Sequence, residues 1–254
     1  MNTLVHHFAG MKLGAQQFIK YFYNNIVNAK IDSDKLTEFN DNVTLVYGST
    51  NNYPFSITLL KYITENNINS INIYENINRA LNIEKIIYFK KVLDEKYNLL
   101  NDYILFIDAG DTVLNIDISF NEILERFKSY NCNILFNKDI TDYPFSFKKY
   151  FNPKSPGYIK EYFETPNVEQ LSDIKDRHFI NSGVYFGKKE DIKELIDVCF
   201  KIIITDNNPK YYSDQFIFKK AARFINEKYN KHFVEVDYEN KLFSCINFNK
   251  WRNY

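Results

Sequence analysis

Short apolar runs alternate with amphipathic segments along most of the chain. The runs are bounded by polar or glycine-containing turns, which is typical of buried strands, and they lie at residues 43–47, 71–74, 103–107, 133–136 and 233–236. Between them, apolar positions recur at helical spacing, most regularly over residues 83–97. Further helices are predicted at residues 59–65, 120–130, 191–203 and 214–229. This alternation predicts an α/β fold in which a mostly parallel, doubly wound central sheet is flanked by helices.

The domain organisation follows from the same pattern. Residues 1–42 carry a weaker helical pattern, so we expect an N-terminal helical extension packed on a single main domain of residues 43–254. Residues 141–175 contain several prolines and aromatics, which indicates a long, partly irregular insertion. Residues 179–187 are typical of a strand interrupted by a polar turn. No internal repeat or linker divides the sequence.

Composition narrows the classes of function and location. Thirty-two basic and 32 acidic residues give zero formal charge, which argues against a protein built mainly to bind nucleic acid or an anionic membrane. Three widely spaced cysteines, Cys132, Cys199 and Cys245, suit a reducing compartment. No apolar run is long enough for a membrane span and no signal peptide pattern occurs, so we expect a cytoplasmic protein. The aromatic content of 17% leaves homo-oligomer formation open.

Two carboxylates mark the most informative position. Asp108 and Asp111 directly follow the apolar run at 103–107, and open α/β sheets carry their chemistry at the carboxyl ends of strands. Two such side chains on one tight turn can converge on Mn²⁺ or Mg²⁺, which can hold a diphosphate. A structural turn or helix cap is the simpler alternative. A phosphatase of the haloacid dehalogenase type is another, but its second aspartate position is here Gly110.

Five segments in chain order resemble the glycosyltransferase domain of procollagen lysyl hydroxylases and the related collagen galactosyltransferases, a GT-A fold family. These segments are residues 84–93, 105–111, 134–144, 179–187 and 213–216. The resemblance implies transfer of a hexose, glucose or galactose, from a UDP-sugar to a hydroxyl acceptor. That acceptor could be hydroxylysine or galactosyl-hydroxylysine of a collagen-like protein, or a glycan.

The resemblance also implies roles for single residues. Asp108 and Asp111 would hold Mn²⁺ or Mg²⁺ against the diphosphate, and Lys85 would be the donor-binding lysine. Tyr143 and Gln215 would lie on the acceptor side.

Other polar positions extend the candidate site. The turn after the first strand could hold the base or ribose, and a second polar turn offers a surface for sugar hydroxyls; the residues are Tyr47, Gly48 and Ser49 in the first, and Asn181, Ser182 and Gly183 in the second. For each, an ordinary turn or bulge is the alternative. Asp139 and Asp214 are candidates for a catalytic carboxylate base, although a carboxylate beginning a helix also suits a cap.

The metal site departs from the family pattern. In the lysyl hydroxylase domain a late histidine completes the metal shell, whereas this chain has none after His232. His6, His7 and His178 show no spacing typical of metal ligands. A catalytically weak or non-catalytic member of the fold, which binds a nucleotide-sugar or acts as a scaffold, is therefore the second hypothesis.

Overall fold

A computed structural model describes residues 3–8, 32–50, 56–78, 80, 82–139, 179–205 and 213–245. The strands are β1 (Val5–His7), β2 (Val43–Gly48), β3 (Ser70–Asn72), β4 (Tyr103–Asp108), β5 (Thr112–Leu114), β6 (Ile134–Asp139), β7 (Phe179–Lys188), β8 (Val234–Val236) and β9 (Phe243–Cys245). The helices are α1 (Ser33–Asn42), α2 (Ile57–Glu65), α3 (Glu84–Glu95), α4 (Phe120–Lys128), α5 (Lys189–Thr205) and α6 (Asp214–Tyr229), with a 3-10 turn at Tyr97–Leu99. The insertion expected at 141–175 lies outside the described residues.

Six strands form the central sheet, in the order β3-β2-β4-β7-β6-β8. Three of its pairings are parallel, and strand β7 runs antiparallel to both of its neighbours. The predicted α/β class is confirmed as a mixed α/β fold. The sheet contains parallel and antiparallel pairings. The direction of each strand was not predictable, because an apolar run shows where a strand lies but not in which direction it crosses the sheet.

Successive side chains of the central strands point to opposite faces of the sheet and pack into two separate hydrophobic cores. In β4, Ile104 and Phe106 face one core, whereas Leu105 and Ile107 face the other. The first core also contains the buried faces of α3, α5 and α6, and the second those of α1, α2 and α4. Both faces of β4 are therefore covered, which explains why its sequence is apolar without interruption.

A second sheet has the order β5-β1-β9. Strand β1 pairs antiparallel with β5 and parallel with β9. The N-terminal region thus contributes a strand as well as helix α1, where only a helical extension was expected. Strands β5 and β9 were not predicted either, since strands of three residues leave too short a pattern to recognise.

Asparagine takes over a task that glycine usually performs. The chain has only seven glycines. Among the described residues other than glycine, those with positive φ are all asparagines: Asn67, Asn76, Asn131, Asn230 and Asn240. Asn230 ends α6 in the left-handed conformation at φ 48°, which asparagine tolerates better than other side chains do. No helix in the described part of the chain is long and apolar enough to cross a membrane.

Candidate functional site

The turn after β4 joins the two sheets and carries the predicted metal pair. Asp108 is the last residue of β4, where it lies opposite Gly48 of β2. Thr112 begins β5 in the second sheet and donates a hydrogen bond from Oγ1 to the Asp108 carbonyl at 2.5 Å. Asp111 therefore lies where the chain passes from one sheet to the other, at the carboxyl edge of β2 and β4.

Lys85 reaches this edge from helix α3. It lies on the buried face of the helix together with Phe89 and Val92, so its side chain points towards the sheet rather than into solvent. Its ammonium lies 3.2 Å and 3.4 Å from the two carboxylate oxygens of Asp108. It also contacts Asp214 Oδ2 at 2.5 Å and donates to the Ser182 carbonyl at 3.1 Å. These three acceptor groups match the three hydrogens that an ammonium can donate.

Asp214 is anchored rather than free. It is the first residue of α6, and the preceding Ser213 caps the helix by accepting a hydrogen bond from the Phe216 amide. The capping role that the sequence left open for Asp214 therefore belongs to Ser213. The Asp214 carboxylate instead accepts a hydrogen bond from Ser182 Oγ at 2.8 Å and pairs with Lys85. It thereby ties α6 to both β7 and α3.

Charge is unevenly distributed in this cluster. Burial on its own would lower the pKa of Lys85, but the carboxylates of Asp108 and Asp214 outweigh that effect and raise it, so the ammonium stays charged. Desolvation by the surrounding protein raises the pKa of the Asp108 carboxyl to about 6, although the positive charge of Lys85 lowers that pKa. Repulsion by the carboxylates of Asp111 and Asp214 adds to the rise. One lysine thus pairs with two carboxylates, and the carboxylate of Asp111 adds a further negative charge near Asp108, which favours the binding of an additional cation.

The predicted polar turn in β7 is a bulge. Tyr185 pairs with Phe136 of β6, but the next β7 residue with a β6 partner is Asn181, so Ser182, Gly183 and Val184 have no partner in β6. Asn181 Oδ1 accepts a hydrogen bond from the Gly183 amide at 2.8 Å. A Cβ atom on Gly183 would lie 2.9 Å from Asp108 Oδ2 and 3.0 Å from Asn181 Oδ1, so a side chain at this position would crowd both groups.

His7 and Asn137 are site residues that the sequence did not reveal. His7 Nε2 lies 3.3 Å from Asp111 Oδ1, and Asn137 Nδ2 lies 3.3 Å from the other ring nitrogen of His7. Burial alone would lower the pKa of His7, but attraction to Asp111 and hydrogen bonding with it raise that pKa. No local signal marks His7, because only the pairing of β1 with β5 brings it beside Asp111.

The remaining predicted residues occupy the margins of the site. Asp139, at the end of β6, is buried and accepts a hydrogen bond from Asn181 Nδ2 at 3.3 Å. Gln215 is buried beside Asp214, and its Nε2 has no hydrogen-bond partner within the described segments. Tyr143 lies outside the described residues. His232 is exposed and lies 3.1 Å from Glu235, which fits a surface histidine.

The turn after β2 lies one strand away from Asp108. A Cβ atom on Gly48 would lie 2.9 Å from the ring of Tyr74, so the glycine lets that ring approach the strand. The Ser49 amide donates to Asn72 Oδ1 at 3.0 Å, and the Ser49 hydroxyl lies 2.6 Å from that of Ser56. The polar groups of Ser49 thus brace the local turn, and Tyr47 is left as the half-buried side chain at this edge.

Asp108 and Asp111 have the chemistry that a hard divalent cation requires. Both side chains reach solvent, with 39% and 20% of their respective surfaces exposed. Across the ranges that the structure describes, no group of three or more His, Cys, Asp or Glu side chains could hold a metal ion. Mg²⁺ and Mn²⁺ are commonly held by one or two carboxylates while substrate phosphate and water fill the other positions, and the pair fits that mode.

Comparisons with known proteins add no relationship. No protein-family model matches the chain, and no curated protein matches it.

Proposed function

We propose that this protein is a metal-dependent glycosyltransferase of the GT-A type. It transfers a hexose, glucose or galactose, from a UDP-sugar to a hydroxyl group of a protein or glycan acceptor. The observation that carries this proposal is the convergence of Asp108, Asp111 and Lys85 with the β7 bulge at the carboxyl edge of a mixed α/β sheet. Ligands of open α/β sheets bind at that edge.

The proposed chemistry needs little from the protein beyond positioning and charge. A divalent cation at Asp108 and Asp111 would act as a Lewis acid that balances the charge growing on the departing nucleoside diphosphate. Lys85 contributes by holding Asp108 in place and by balancing its charge, since its hydrogens are already directed at protein oxygens. In this proposal Lys85 acts on the phosphate site indirectly, through its ion pair with Asp108.

In this proposal the residues of the bulge contact the donor sugar, and the acceptor binds beside them. Asn181, Ser182 and Gly183 would face the sugar, and Gln215 Nε2, a buried donor with no acceptor among the described residues, would face the acceptor. Asp214 already binds a lysine and a serine, and Asp139, which is buried beside Asn181, is the other candidate for a carboxylate base. The proposed acceptor is the one that the family resemblance implies: hydroxylysine or galactosyl-hydroxylysine of a collagen-like protein, or a glycan.

Thermal melting tests donor binding. The protein is melted with UDP, UDP-glucose or UDP-galactose, each with Mn²⁺ or with chelator. Ligand binding to the native state stabilises it by about 2.7 kcal/mol at roughly 100 times Kd, which raises the melting temperature by several degrees. The proposal expects a rise that requires both Mn²⁺ and the nucleotide. A melting temperature unaffected by every combination contradicts it.

Release of UDP from UDP-glucose or UDP-galactose tests whether the protein turns over a donor. We expect Mn²⁺-dependent release that Asp111→Asn abolishes and that the control variant Asp117→Asn leaves intact, since Asp117 is an exposed aspartate on the next connection, between β5 and α4. If instead a simple phosphomonoester is hydrolysed and Asp108→Asn abolishes that hydrolysis, the phosphatase alternative is correct.

A non-catalytic, nucleotide-sugar-binding member of the same fold is the second candidate. The observation in its favour is that Lys85, the expected donor-binding group, is held by two carboxylates and a carbonyl. Metal-dependent melting shifts with UDP, together with no UDP release from either donor, would support this candidate over the enzyme.

We also infer a cytoplasmic location. Cys132 and Cys199 are free thiols, which fits a reducing compartment. Fractionation of the native source would test this, and recovery of the protein from a secreted or luminal fraction would contradict it.

A further inference from the structure

His7 connects a strand of the second sheet to the candidate metal pair. Its ring is buried, with Nε2 lying 3.3 Å from Asp111 Oδ1 and Nδ1 lying 3.3 Å from the amide of Asn137. Asn137 is completely buried in β6, and its Oδ1 has no hydrogen-bond partner within the described ranges. The three side chains form a chain of contacts from the central sheet to the turn after β4.

The contacts fix the direction in which His7 donates. If the Asn137 amide donates to Nδ1, that nitrogen is unprotonated and the ring proton lies on Nε2. If the amide is turned so that its oxygen accepts from Nδ1, the Asp111 carboxylate still favours a proton on Nε2. In both arrangements Nε2–H donates to Asp111, so the histidine acts as a hydrogen-bond donor to the carboxylate.

The same contact leaves one oxygen of Asp111 available. His7 lies against Oδ1, and the described residues provide no hydrogen-bond partner for Oδ2. The His7 ring is also close to the other carboxylate of the pair. A Cβ atom on Gly183 would lie 3.0 Å from His7 Cε1 and 2.9 Å from Asp108 Oδ2, so both groups border the same point.

We propose that His7, held by Asn137, is a positioning residue that orients Asp111 for binding of a divalent cation. This inference rests on the proposed function, because it assumes that Asp108 and Asp111 bind the cation. His7 acts through Asp111 and is not itself a metal ligand, since its Nε2 already donates to the carboxylate. Hydrogen bonds of this kind to ligating carboxylates typically change metal affinity by about 10- to 100-fold when they are removed.

The test measures Mn²⁺ affinity directly. Loss of the electron paramagnetic resonance signal of free Mn²⁺ gives the Kd of the full chain in the presence of saturating UDP, independently of turnover. His7→Phe keeps a planar ring but removes both nitrogens, and we expect it to raise the Kd about 10- to 100-fold. His7→Gln retains an amide donor, and we expect it to restore part of the affinity. Urea unfolding of each variant establishes that it is folded.

The neighbouring histidine provides a matched control. His6 lies on the same strand, is also buried, and contacts Ser244 Oγ at 2.7 Å instead of the candidate site. We expect His6→Phe to change the Kd by less than about twofold. An equal loss of affinity in His6→Phe would show that any disturbance of β1 is sufficient to weaken Mn²⁺ binding, and would overturn the inference.

The other outcomes separate the inference from the function on which it rests. If the unmodified protein binds Mn²⁺ and folded His7→Phe binds it equally well, the positioning role is wrong while the metal site stands. If the unmodified protein binds no Mn²⁺ with UDP, both are wrong. If His7→Phe does not fold, His7→Gln and Asn137→Ser decide: weaker binding in folded forms of both supports the role, and unchanged binding overturns it.

Discussion

Replacing Lys85 by methionine should destabilise the protein strongly, and the contacts of the ammonium allow the loss to be estimated. Only 6% of the Lys85 side chain and 8% of the Asp214 side chain are exposed, so the variant leaves a buried carboxylate without its cation. Removal of one partner of a buried ion pair typically costs about 3–5 kcal/mol. The second partner, Asp108, is 39% exposed and water can solvate it, so it adds little to this estimate.

Urea unfolding at neutral pH with chelator present measures this loss without compensation by a divalent cation. For a chain of this size, about 3–5 kcal/mol corresponds to a fall in melting temperature of roughly 6–20 °C. Lys91→Met, on the same helix, is the matched control. Lys91 lies 4.0 Å from Glu95 and both side chains are more than half exposed, so we expect its free energy of unfolding to change by at most about 0.5 kcal/mol.

A double-mutant cycle tests the cause of the destabilisation. Asp214→Asn removes the stranded charge but can still accept the hydrogen bond from Ser182. The variant carrying both Lys85→Met and Asp214→Asn should therefore recover about 1–3 kcal/mol relative to the sum of the two single losses. If Lys85→Met is as stable as Lys91→Met, or if the two losses simply add, the reasoning about a buried charge cluster is refuted.

Three further variants test packing and hydrogen bonding. Gly183→Ala should lower the free energy of unfolding by about 1–3 kcal/mol, because its Cβ would lie 2.9 Å from an Asp108 oxygen; a urea midpoint equal to that of the parent would contradict this. Asp237→Ala should cost at least about 3 kcal/mol, since this buried carboxylate accepts hydrogen bonds from the Tyr130 hydroxyl and from three backbone amides, including that of Leu242. Tyr185→Phe should be neutral or stabilising by up to about 1 kcal/mol in calorimetry, because the buried hydroxyl has no partner among the described residues; a clear loss of stability would reveal one.

The candidate site was partly predictable because several of its residues follow recognisable local patterns. Asp108 comes directly after an uninterrupted apolar run, and such a run predicts a strand buried on both faces whose end lies at a functional edge. Lys85 was singled out by the family resemblance, and its helical spacing from Phe89 and Val92 agrees with its place on the buried face of α3. The start of α6 at Asp214 was predicted to the residue, although Asp214 and not Ser213 was the candidate considered for the cap.

Other parts of the site were not predictable because they depend on contacts between distant segments. His7 lies more than a hundred residues from Asp111 in the chain, and their contact requires that β1 pair with β5 in a second sheet. The sequence shows β5 only as three residues after a turn, which is too short to reveal either a strand or its partner. Asn137 is similarly unremarkable until β6 places its amide against His7.

Local sequence patterns were sufficient to predict the α/β class, the positions of most central strands and helices, and two carboxylates at the end of β4. These features depend on local periodicity and on turn chemistry, which act over a few residues. Three features became visible only in the folded chain: β7 runs antiparallel, Lys85 is shared between two carboxylates, and His7 lies against Asp111. Strand order and charge pairing arise when segments far apart in the chain bury their surfaces together, and no local pattern encodes which segments meet.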